Sequence, residues 1–113
     1  MKIIKKDQTF RHKNSDSCIS TEYPLDDKNI DISIVRIKGR YPDRNRVVNR
    51  KCKELVYIMK GSGEITIEEK TITLKKGDTI LIEPEEKYYW KGNMTLVVSC
   101  SPAWYPEQHE NII

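Results

Sequence analysis

The stretch CKELVYIMKGSGEI, Cys52 to Ile65, decides the fold. Leu55 to Met59 are apolar on both faces, as a β-strand buried on one side and covered or bordered on the other would be. Side chains alternate between the two faces of a strand, so Glu54 points the same way as Val56 and Ile58. A carboxylate on a buried face needs a partner or a purpose. The Gly-Ser-Gly at residues 61–63 reads as the turn that closes the strand.

Working outward, the same pattern recurs. IDISIVRIKG (Ile30 to Gly39) is rich in β-branched residues. EITIEE, TITLKKGD, TILIE, YYW and MTLVVSC follow at intervals of about ten residues. Between them lie a tight reversal at Glu69 and Lys70, a PEEK loop, and a KGN segment that reads as another turn. No segment carries a helical period of apolar residues, so the chain is expected to be all-β, a sandwich or barrel. Residues 1–28 form the least regular part, an N-terminal arm. Residues 29–102 form the barrel, and residues 103–113 form a tail interrupted by Pro106.

A chain of 113 residues can bury one core. The charged fraction of 33% is high, but the 37% of apolar residues fall in alternating runs rather than being dispersed, which argues for a folded domain. There is no apolar run long enough to cross a membrane as a helix. The N-terminus lacks a secretory pattern, and Cys18, Cys52 and Cys100 have no paired spacing, so reduced thiols and a cytoplasmic location are expected. The net charge of +3 hides a basic band. Arg36 to Lys53 holds eight Lys or Arg against one acid, Asp43. That band is read as a solvated face with some capacity for anions. Nucleic-acid binding is not expected, because there is no recognition helix and the aromatics do not interleave with the basic residues.

ELVYIMKGSGEI followed by LKKGDTILIEPEEKYYWKGN resembles the two motifs of the cupin superfamily, which are small jelly-roll β-barrels. Glu54, followed by six residues and Gly61, matches the glutamate and closing glycine of the first motif. Gly77, Asp78 and Pro84 match the opening of the second. The resemblance implies a cupin-like jelly-roll β-barrel in a single domain, with Glu54 directed into the barrel. It also implies pairing into a homodimer. In ordinary cupins three histidines and the glutamate hold a divalent metal. Here the first-motif histidines are missing from Val47 to Arg50, and Tyr88 stands at the second-motif histidine. A standard metal site is therefore not expected.

The candidate site follows from these positions. Glu54 and Tyr88 are the candidate catalytic groups. Glu54, Tyr57, Tyr88, Trp90, Arg36 and Arg50 are the candidate ligand contacts, the aromatics for a sugar-like ring and the arginines for an anionic group. No metal or other cofactor is favoured. If a divalent metal were held, Cys52, Glu54, Cys100 and His109 would be the replacement ligands. The expected activity is binding of a small sugar-like or anionic molecule without a His-ligated metal. The alternatives are a metal-independent sugar isomerase or epimerase, and a dioxygenase-like metalloenzyme with replaced ligands.

Overall fold

The computed structural model describes residues 1–112. Among the described residues nine strands run β1 (Phe10–Ser15), β2 (Cys18–Glu22), β3 (Ser33–Tyr41), β4 (Arg46–Asn49), β5 (Lys53–Ile67), β6 (Lys70–Lys75), β7 (Thr79–Ile82), β8 (Lys87–Ser101) and β9 (His109–Ile112). They form one curled sheet in the jelly-roll manner, with every pairing antiparallel. No α-helix occurs among the described residues, and so none is long and apolar enough to cross a membrane.

The frame is the long ribbon of β5 on β8, which pairs from Lys53↔Ser101 to Ile67↔Tyr88. On its other side β8 pairs with β3 and then β4, and β4 pairs with β9. Inward residues of β5 and β8 build the core: Val56, Ile58, Ile65, Trp90, Met94, Leu96 and Val98 are all buried. Met59 is an extra residue in the ladder, between Ile58↔Leu96 and Lys60↔Thr95. This bulge moves the inward phase of β5 from even to odd numbers. Ile65 and Ile67 can then face the interior that Val56 and Ile58 also face.

Two expected turns are not turns. Gly61–Gly63 lies inside β5, and the KGN segment lies inside β8. Their glycines meet instead, because Gly92 pairs with Gly63 on one side and with Gly39 on the other. A Cβ on Gly92 would lie 2.5 Å from the Gly63 Cα, a distance no side chain tolerates. The three glycines form a line across β3, β8 and β5; β8 and β5 approach too closely there for side chains, while Gly39 has room for one and is set apart by its φ of +109°, and such glycines are where sheets curl. Local sequence cannot tell a glycine that reverses a chain from one that lets two strands touch.

The two ends of the chain are also more regular than expected. Within residues 1–28, β1 and β2 form a hairpin that extends the sheet beyond β3 and buries Cys18 and Ser20. In the tail, Trp104 N–H donates to Asp31 Oδ2 (2.9 Å), and β9 closes against β4.

Candidate functional site

The strand phase read from the sequence holds. Glu54 is 8% exposed and Cys100, its cross-strand partner, 3%. Both line a cavity of about 370 Å³, together with Tyr41, Tyr88, Trp90 and His109. Ile37, Leu96 and Val98 supply apolar wall, and Trp104 covers one side. Phe10, His12 and Asn14, on one face of β1, are exposed along the rim. No lysine or arginine is among the lining residues.

Among the described residues Glu54 has no cation beside it. Its Oε1 accepts from Asn49 Nδ2 (3.2 Å) and from the Cys100 thiol (3.7 Å). Two neutral donors do not offset the cost of burying a carboxylate, so burial raises its pKa from 4.5 to about 7. Burial likewise holds the Tyr41 and Tyr88 phenols and the Cys18 and Cys100 thiols well above their usual ranges, so all four are neutral. The same cause lowers the pKa of the His109 imidazole, which is therefore neutral at neutral pH.

Asn49 is the hub that sequence reading missed. It is fully buried at the end of β4, within the stretch where the family's histidines are expected. Its Nδ2 also reaches the Tyr88 hydroxyl (3.4 Å), while its Oδ1 accepts from Gln108 Nε2 (3.0 Å) and meets His109 Nδ1 at 2.7 Å. His109 is its cross-strand partner on β9. The one available signal was phase, since Asn49 follows Val47 by two residues and so faces the same way.

The structure sorts the candidates. Glu54, Tyr88, Trp90, Cys100 and His109 come together around the cavity. Tyr57 does not; it is 43% exposed on the outer face of β5. Arg36 also lies outside, donating to the carbonyls of Ile37 (2.8 Å) and Met94 (2.9 Å). Arg50 bridges Glu85 (3.0 Å) and Glu110 (2.8 Å) on the surface. Tyr57 and Arg36 have the strand phase opposite to the cavity's, and Arg50 sits beyond the end of β4, so both arginine charges stay in water. Glu54 is met by the Asn49 amide and not by either arginine.

Cys52 is buried behind the cavity wall, its thiol 3.9 Å from the Ala103 carbonyl. Among the described residues no three His, Cys, Asp or Glu side chains converge to hold a metal ion. Asn49 presents an N–H, not a lone pair, towards Glu54, and Val47 and Tyr88 bring no ligand nitrogen. These donors do not fit the metal of ordinary cupins.

The family model for the cupin domain matches residues 44–99, and that span holds the Glu54 strand, the bulge and the Gly63–Gly92 pair. This chain carries a small cupin domain. An uncharacterized protein of Methanocaldococcus jannaschii is 34% identical over 61 residues, 52% of this chain and 48% of that protein. The chain thus spans about half the length of the curated relative it matches. Among solved structures, Pac13, a nucleoside dehydratase, superposes with a TM-score of 0.88 at 16% identity, over 99% of this cupin and 91% of that chain. A Streptomyces Pac13 variant with uridine gives 0.88, also at 16% identity, over 99% and 90%. Ectoine synthase from P. lautus gives 0.77 at 17% identity, over 100% and 91%. At these identities the likeness is one of fold.

Proposed function

We propose that this cupin binds a small, uncharged, hydroxyl-bearing molecule of sugar or nucleoside size inside the barrel, held by its own side chains. The observation that supports this most is Glu54, a buried carboxyl with no cation beside it that faces a cavity of about 370 Å³. Such a group weakens the fold and is best accounted for by a ligand. A pKa of about 7 lets it donate to a ligand oxygen or accept from a ligand hydroxyl. Trp90, Trp104 and Tyr88 offer apolar faces to a ring, and the volume lies in the range of small-molecule sites. An anionic ligand has no lysine or arginine to meet there. The test is thermal stabilisation of the protein by uridine and a panel of free sugars, compared with their phosphates. Uncharged members are expected to raise Tm in a concentration-dependent way, and Glu54→Gln to reduce that response. Larger stabilisation by the phosphates would contradict the reading.

A second reading, metal-free isomerisation or epimerisation of the same ligand class, is favoured by one observation. A carboxyl that titrates near neutrality and a neutral imidazole face one cavity. It predicts solvent deuterium incorporated at carbon into a panel sugar, and loss of that label in Glu54→Gln.

A further inference from the structure

The polar network around Asn49 fixes more than the position of Glu54. Its orientation can be read outward from the backbone, where the donor is never in doubt. The N–H groups of Lys51 (3.1 Å) and Cys52 (3.2 Å) both donate to Gln108 Oε1. That sets the Gln108 amide and makes its Nε2 a donor. Nε2 donates to Asn49 Oδ1, which sets the second amide and directs Asn49 Nδ2 at Glu54 and Tyr88. Asn49 Oδ1 can then only accept from His109, so the histidine proton sits on Nδ1. The lone pair of Nε2 is left pointing at the Tyr41 hydroxyl, 3.4 Å away. Hydroxyl, imidazole and amide stand in series, the arrangement by which a histidine activates a hydroxyl. Tyr41 and His109 both line the cavity.

We propose that Tyr41, His109 and Asn49 form a proton relay serving the cavity ligand, with Gln108 as the positioning residue that locks the histidine tautomer. The relay rests on the cavity being the ligand site, as proposed above. A ligand hydroxyl loses its proton to the Tyr41 oxygen as the Tyr41 proton moves to His109 Nε2. The ligand becomes an alkoxide, Tyr41 is unchanged, and the histidine becomes an imidazolium held by Asn49 Oδ1. The reverse transfer returns every proton, so no oxidant or co-reactant is needed. Glu54 and His109 grip opposite ends of one amide. The groups packed around the imidazole are Tyr41, Trp104, Asn49 and Gln108, with Glu54 and Tyr88 next behind Asn49.

The test is nitrogen-15 NMR of the ligand-free protein across pH, which reads the relay whether or not a ligand is ever found. The wild type is expected to show His109 as the Nδ1–H tautomer, with Nε2 the nitrogen that gains a proton as pH falls. Gln108→Glu keeps an acceptor for the two backbone N–H groups but loses the donor to Asn49. It is expected to turn the Asn49 amide over and convert His109 to the Nε2–H tautomer, with the dispersion of the amide spectrum retained. Tyr41→Phe is expected to leave the tautomer alone and shift only the Nε2 resonance, because one hydrogen bond to it is lost. An Nε2–H tautomer in the wild type would overturn the relay. If Gln108→Glu does not fold, Tyr41→Phe decides, since an unmoved Nε2 resonance also overturns it. Failure of every sugar and uridine to stabilise the protein, with the NMR result as expected, would instead count against the ligand class.

Discussion

Each face of β5 departs once from the usual arrangement of a sheet that covers a core. Inside, the strand begins with Glu54; outside, Leu55, Tyr57 and Met59 are 51%, 43% and 41% exposed. Leu55 pairs with Leu81, itself 47% exposed, so the outer apolar strip continues onto β7. The inward departure is costly, because burying a charge without a partner disfavours the fold. The outward one costs little, because exposed leucines are common on surfaces. The inner carboxyl therefore says more about function than the outer leucines do.

That contrast can be broken most severely at the curl that creates an inside and an outside. Gly92→Val should prevent folding or cost several kcal/mol, about the largest range for a single substitution. The reason is the 2.5 Å approach to the Gly63 Cα. Loss of the unfolding transition, or a large fall in its midpoint, is the readout. Next comes the core layer itself. Ile58→Ala on the inner face should cost about 2–5 kcal/mol in denaturant unfolding, while its neighbour Leu55→Gln should stay within about 0.5 kcal/mol. If Leu55→Gln also abolishes a concentration dependence of Tm, the outer strip is a contact between copies of the chain.

The pH dependence sharpens the comparison further. Glu54 has a folded pKa above its ordinary value, so the folded state binds the extra proton. Its contribution falls as pH rises from about 4.5 to about 7, reaching a penalty of about 3 kcal/mol above that window. His109, lowered by burial, acts in the opposite sense and loses stability as pH falls below its ordinary 6.5. The two partly cancel in the wild type, so the difference between wild type and Glu54→Gln isolates the carboxyl. The smallest effect is expected at Arg50→Ala, whose ion pairs with Glu85 and Glu110 are solvent-exposed. It should be slight and should shrink further with added salt.

Much of the fold was legible because it depends on strand phase, which a sequence carries directly. Glu54 in step with Val56 and Ile58, and Tyr88 in step with Trp90, needed no knowledge of pairing. What stayed hidden depends on register between distant strands. The glycines at 39, 63 and 92 look like punctuation until they are seen to face one another. Asn49 looks like a loop residue until β9 and the turn before it bring His109 and Gln108 against it from about sixty residues away. Arg36 and Arg50 were drawn to the site by their charge, which instead keeps them outside it.

The most direct test is the unfolding free energy of wild type and Glu54→Gln, measured side by side at pH 4.5 and pH 8. Equal stabilities at the lower pH, with Glu54→Gln the more stable by about 3 kcal/mol at the higher, would show that the buried carboxylate opposes the fold, as expected of a group kept for a ligand. A Glu54→Gln protein that is clearly less stable at pH 8 would mean that the carboxylate holds the barrel together, and the central claim would be wrong.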